Sequence, residues 1–218
     1  MGDFKTIRYG ERGLLVCDLS FEIRIRLESC AENQSLPWLQ EVVPGYDSLL
    51  FLMQSENCLP ALVRWLSAQD LSAQWDDSDR GILEVPVCYN GPDLRTVAEA
   101  IQCSVETVIE LHSSAEYRVR MMGFTPGFPY LDGLPERLHL PRRGSPRNHI
   151  KPGTVAIGGS HAGIYSVASP GGWNLLGETD LRLFQPEKSR GDVDGSEAAF
   201  HLRVGDRIRF VSIGEFAL

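Results

Sequence analysis

Three guanidiniums fall within six positions, at Arg142, Arg143 and Arg147, in the stretch Pro141-Arg142-Arg143-Gly144-Ser145-Pro146-Arg147. A guanidinium presents a planar fork of donors that matches a carboxylate or phosphate edge. Such a cluster suits clamping an anion, and equally a surface turn whose charges find partners elsewhere in the chain. Two histidines are candidates for proton transfer. His112 follows Val105, Val108 and Ile109 at helical spacing, which fits a core histidine as well as an acid or base. His161 sits among glycines, where a ring would be accessible. Tyr165 offers a phenolic donor, expected at the mouth of a barrel. Ser169 and Thr179 offer hydroxyls that serve an anion or stabilise a turn. Gly171 and Gly172 allow close backbone approach by a ligand, or a positive-φ turn. Phe124, Phe128, Tyr130 and Trp173 line a pocket or fill a core.

These residues belong to a stretch unlike the rest of the chain. The 218 residues carry 21 Lys+Arg and 29 Asp+Glu, a net charge of −8. Within 123–177 there are five basic residues and two acidic ones, so this window is +3. It also holds 11 of the 21 glycines and 7 of the 13 prolines, interleaved with aromatic and β-branched residues. That mixture describes ordered, turn-rich β-structure with an electropositive surface, suited to an anionic small molecule or partner. The acidic whole gives no basic footprint for nucleic acid.

The longest purely apolar run, Leu49–Met53, is far short of a membrane span, and no signal peptide is read at the N-terminus. Gly2 and Thr6 fit the loose myristoylation pattern, which chance often meets. Five cysteines, an odd number without C-x-x-C pairs, fit buried thiols in a reducing cytoplasm rather than zinc or disulfides. A cytoplasmic location is expected. No P-loop, G-x-S-x-G elbow, H-E-x-x-H or biotin-accepting Met-Lys-Met is present, so the chain lacks a self-contained catalytic apparatus.

Two units must position these residues. Strands are predicted at Lys5–Tyr9, Leu14–Leu19, Glu41–Val43 and Leu49–Gln54. Helices are predicted at 22–33, with Ile23, Leu27, Cys30 and Ala31 near one stripe, and at Leu59–Gln69, with Pro60 in the first turn. The order β-β-α-β-β-α implies a small α+β sandwich over 1–80. The polar stretch 74–81 is the expected boundary. A strand at Ile82–Tyr89, two short helices with Ser104 capping the second, and a strand at Tyr117–Met122 follow. Beyond them, short strands between Gly/Pro turns suggest a β-barrel completing 81–218. Residues 186–197 read as a charged surface loop. His201–Arg203 and Arg207–Ser212 read as two final strands about a Val204-Gly205-Asp206 turn.

Taken together, Gly123–Leu131, Leu140–Arg147, Pro152–Ile157, Gly163–Tyr165 and Pro170–Thr179 resemble, in order and spacing, the motifs of the allophanate hydrolase subunit 1 family, also called the KipI family. This family includes the B-type chain of bacterial 5-oxoprolinase. The resemblance implies an N-terminal α+β domain and a C-terminal cyclophilin-like barrel of the carboxyltransferase type. It also implies a polypeptide inactive alone, completed by a partner of the allophanate hydrolase subunit 2 type, which is the C-type chain of 5-oxoprolinase. A LamB/YcsF-type chain joins them, and the assembly opens 5-oxo-L-proline to L-glutamate at the expense of ATP, with Mg2+. Other members inhibit a sensor histidine kinase, and a related module serves a biotin-dependent carboxyltransferase. The chain departs from the family pattern at Ser160-His161-Ala162 and at Ser166.

Overall fold

The structure, a computed structural model, describes residues 4–70, 81–189 and 197–214. The chain divides into two units, Met1–Asp77 and Ser78–Leu218. The boundary expected over 74–81 falls, up to residue 80, outside the described residues.

The first unit contains β1 (Lys5–Tyr9), β2 (Gly13–Cys17), α1 (Phe21–Glu32), β3 (Leu39–Pro44), β4 (Leu49–Met53) and α2 (Leu59–Ser67). Its strands form one antiparallel sheet in the order β1-β2-β4-β3. Alternation decides the faces. Leu14 and Val16 of β2, with Leu49, Phe51 and Met53 of β4, pack on Leu27 and Ala31 of α1 and on Leu62 and Leu66 of α2. The buried stripe of α1 is Phe21, Arg24, Leu27 and Ala31, rotated from the expected one. Arg24 occupies a core-facing position because its guanidinium lies 5.7 Å over the Phe21 ring and bonds Glu28 one turn on at 3.1 Å. A reading by hydrophobicity puts such a residue outside.

The second unit opens with β5 (Ile82–Cys88), α3 (Leu94–Ala100), α4 (Val105–Ser114), β6 (Tyr117–Met122) and β7 (Pro129–Asp132). It continues through β8 (Arg147–Ile150), β9 (Thr154–Gly158), β10 (His161–Ile164), β11 (Ser169–Gly171), β12 (Asn174–Glu178) and β13 (Arg207–Ile213). Seven strands close a barrel in the order β10-β7-β6-β13-β5-β12-β9, and β8 pairs with β11 as a separate ribbon. The fold is therefore mixed α+β with a closed barrel. Ser104 caps α4 by accepting from the Thr107 amide at 3.2 Å.

The expected strand over His201–Arg203 is not formed. Its flanking turn is spent otherwise: the Arg203 amide donates to the Asp206 carboxylate at 2.7 Å, and the Gly205 amide to the Val119 carbonyl at 2.9 Å. β13 instead runs parallel to β5 in an unbroken register from Arg207↔Ile82 to Ile213↔Cys88.

The strand β9 is buried along its whole length, on both faces. Val155 and Ile157 face the barrel interior with Val85, Val119, Leu131, Leu176 and Phe210. Ala156 faces outward into a second cluster with Phe128, Ile150, Tyr165, Trp173 and Leu175. The aromatic residues thus form a core of their own on the barrel's outer wall.

Candidate functional site

One edge of this aromatic cluster is open. Phe124, Phe128, Tyr130 and Tyr165, with Arg142, Pro146, Pro170, Gly171, Gly172 and Trp173, enclose a cleft of about 230 Å³. Three segments meet there: the 123–130 loop with β7, the 141–147 arginine loop, and β11 with the turn into β12. The rings stand edge to face. Phe128 lies 5.3 Å from Tyr165 and 5.5 Å from Trp173, and Tyr130 lies 5.8 Å from Trp173.

Small residues make room for these rings. A Cβ at Gly163 would come within 2.8 Å of Phe128, and one at Gly171 within 2.1 Å of the Tyr165 hydroxyl oxygen. The need for glycine at 171 comes from the Tyr165 phenol and the Ile150 side chain packed beside it. Burial holds that phenol above its ordinary pKa, opposed by a backbone hydrogen bond from Trp173 and by the Arg142 and Arg147 charges. It is a neutral donor on the cleft wall, set in the outer cluster rather than at the barrel mouth.

Phe124 stands at the rim, 57% exposed, with its backbone at φ 67 in the left-handed region. That conformation costs about 1–2 kcal/mol for a residue with a Cβ. A net of backbone bonds holds it: Gly123 N–H to Phe128 O at 3.1 Å, Thr125 N–H to Gly123 O at 2.8 Å, and Phe128 N–H to Thr125 O at 3.1 Å. Ser166 donates its hydroxyl to Pro126 O at 2.6 Å in the same loop.

The three arginines divide. Arg143 Nη1 donates to Asp93 Oδ1 at 2.8 Å, and Arg147 Nη2 to the same oxygen at 2.7 Å. Arg142 stacks 5.7 Å over the Trp173 ring in the cleft and makes no ion pair among the described residues. The cleft therefore presents one uncompensated guanidinium against apolar walls, an arrangement for one small anion with a flat apolar body. Asp93, only 2% exposed, is the residue that sequence reading passed over. It follows Gly91-Pro92 at a helix start, where an aspartate signals a cap; nothing local marks two arginines 50 and 54 residues away.

Other candidates lie apart from the cleft. His112 is 0% exposed, stacked 4.5 Å from Phe210 with Nδ1 2.8 Å from the Tyr89 hydroxyl. Burial lowers its pKa to about 3, so it is a neutral core imidazole, and it does not line the cleft. His161 is partly exposed, with Nδ1 3.4 Å from Asp132 and Nε2 3.3 Å from the Ser160 hydroxyl. Its ring lies 6.5 Å from that of Tyr130 and does not line the cleft. Thr179 is buried, its Oγ1 accepting from the Leu181 amide at 3.3 Å, a turn stabiliser. Ser169 Oγ and Arg147 Nη1 are buried without a hydrogen-bond partner among the described residues.

Among the described residues no three His, Cys, Asp or Glu side chains gather to hold a metal ion. A single free guanidinium matches one anionic group and not the charges of a triphosphate, so the cleft by itself does not fit Mg2+-ATP. All five cysteines are free thiols. No described helix is long and apolar enough to cross a membrane.

Residues 9–192 match the family described as the carboxyltransferase domain, subdomain C and D. The chain belongs to this carboxyltransferase-domain family. A relative from Bacillus subtilis (strain 168), named as the B subunit of 5-oxoprolinase, is 37% identical over 199 residues, covering 84% of this chain and 80% of the relative. The crystal structure of TTHA0988 superposes with a TM-score of 0.78 at 33% identity, over 93% of this chain and 40% of that one. This carboxyltransferase-domain chain thus spans well under half of TTHA0988. The Kluyveromyces lactis urea carboxylase shares the fold, with a TM-score of 0.72 at 20% identity over 96% of this chain and 22% of that one.

Proposed function

We propose that this chain is the B-type component of an ATP-dependent 5-oxoprolinase, which opens 5-oxo-L-proline to L-glutamate only in assembly with its partners. The observation that carries the reading is the cleft itself: aromatic walls and one unpaired guanidinium, in a chain whose relatives are named for the B component of 5-oxoprolinase. A five-membered lactam enters beside the exposed Phe124 ring and Tyr130, and its carboxylate pairs with Arg142. The neutral Tyr165 phenol donates a hydrogen bond to substrate oxygen, and the aromatic walls exclude water from the bound ring.

ATP, with Mg2+, belongs to the complex, and its site is completed by the C-type chain and the LamB/YcsF-type chain. ATP supplies the phosphoryl group that activates the lactam. This chain's residues bind and orient the substrate. The assembly works in the cytoplasm.

The test is co-purification with the two partner types, followed by measurement of ATP-dependent glutamate release from 5-oxoproline. Turnover by the assembly, with none by this chain alone, is expected. Robust turnover by the isolated chain overturns the shared-site reading. An intact assembly without lactam opening overturns the substrate, and leaves the kinase-regulator and carboxyltransferase readings to be assayed in turn.

A further inference from the structure

We propose that Asp93 is a positioning residue that sets the cationic wall of the cleft, acting through the arginine loop on Arg142. Asp93 occupies the N-cap position of α3, yet its carboxylate makes no bond to the first-turn amides of that helix. An aspartate at this position ordinarily accepts from them. Here Oδ1 takes both Arg143 and Arg147, and Oδ2 accepts from the Leu175 amide at 2.8 Å. One buried carboxylate therefore ties the arginine loop to the start of β12, the strand entered from Trp173.

The surrounding backbone reinforces that tie. The Arg143 amide donates to Gly172 O at 2.7 Å, and Asn174 Nδ2 to Pro141 O at 3.2 Å. The Gly91 amide donates to Leu176 O at 3.0 Å, and the Asp93 amide to Leu175 O at 3.2 Å. Arg142 lies between these anchored points. With both neighbouring guanidiniums drawn inward to Asp93, Arg142 is the one left turned over Trp173. Asp93 also neutralises part of the charge that would otherwise drive the loop apart. Its position in the sequence, 50 residues from Arg143, makes it a tertiary choice rather than a local accident.

This inference rests on the reading of the cleft as the lactam site, and the experiment separates the two. In the assembled complex, Asp93→Asn is expected to raise KM for 5-oxoproline by about tenfold to hundredfold, since small misplacements of a binding group cost that much, with KM for ATP unchanged. On an Arg142→Ala background the same substitution adds little, because its effect runs through Arg142. A purely structural Asp93 instead lowers Tm and the yield of active complex at unchanged KM, and that result overturns the proposal. So does an equal rise in KM on both backgrounds.

Should Asp93→Asn fail to fold, Arg143→Gln cuts the tether from its more exposed side and carries the same KM expectation. If the wild-type complex does not open 5-oxoproline, the lactam reading falls, and trypsin decides the positioning role on the full chain. Asp93→Asn is then expected to speed cleavage after Arg142 and Arg143 while sites in the first unit are cut at the wild-type rate. Equal protection in both proteins overturns it.

Discussion

Arg142 and Arg147 lie five positions apart in one loop and are expected to answer substitution in opposite ways. Arg142 is exposed and makes no ion pair among the described residues. Arg142→Ala should therefore leave stability within about 0.5 kcal/mol while raising KM for the substrate anion. Arg147→Ala removes one of the three donors, and one of the two cations, that hold the buried Asp93 carboxylate, at a cost of about 1–3 kcal/mol. Urea unfolding and steady-state kinetics on both variants separate the roles; two equal losses of stability would remove the distinction. At Phe124 the ring and the backbone pull apart. Phe124→Gly relieves the left-handed strain and should hold or raise stability by up to about 1 kcal/mol, yet weaken substrate binding through loss of the rim. A large fall in Tm would instead mark the ring as packing.

His112 gives the residue scale its pH dependence. Its folded pKa, about 3, lies below the unfolded value near 6.5. The unfolded state therefore takes up the proton first on acidification. The stability involved is fully present above about pH 6.5 and is lost as pH falls toward 3, at up to about 1.4 kcal/mol per pH unit. Replacing the ring by His112→Phe, which keeps the stack on Phe210, should give a less stable protein whose stability is flatter between about pH 5 and 6.5. An unchanged slope would assign it to other groups.

At the scale of elements, the tight contact is that of Tyr165 with β11. Gly171→Ala drives a methyl into the Tyr165 hydroxyl and should cost about 1–3 kcal/mol. Combining it with Tyr165→Phe, which removes that oxygen, should recover part of the loss, since the methyl still meets the ring carbon of residue 165 and Ile150 Cδ1 at 2.8 Å; the non-additivity is read from thermal unfolding of the four proteins. Strict additivity would mean that the ribbon moves rather than the ring. The strand β9 shows why such packing is tight: a run buried on both faces has no solvent side into which a neighbour can shift.

For the whole molecule, the hydrophobic clusters fall within separate units. Leu14 to Leu66 form one, and the barrel interior and its outer aromatic cluster belong to the other. Residues 81–218 expressed alone should therefore unfold cooperatively, with near-UV circular dichroism typical of fixed aromatic rings. A fragment without fixed tertiary signal, from a full chain that has one, would show that the first unit supplies part of the barrel's stability.

Local elements were legible in the chain before any fold. Alternation named strands in both units, and the cap at Ser104 and Pro60 in a first turn named helices. The Gly/Pro density of 123–177 named the turn-rich second half with its aromatic and cationic groups. These signals act within a few residues, so they survive without tertiary contacts. The sorting of those groups arose in three dimensions. Which arginine stays free depends on Asp93, brought across 50 residues by the close of the barrel. Whether a histidine faces solvent or the core depends on Phe210 and Tyr89 packed around His112. That β13 lies parallel to β5, and not in a hairpin with His201–Arg203, depends on where distant edges find donors. Periodicity records which face of an element is apolar; pairing of charges and edges at long range is set by the closed structure that brings them together.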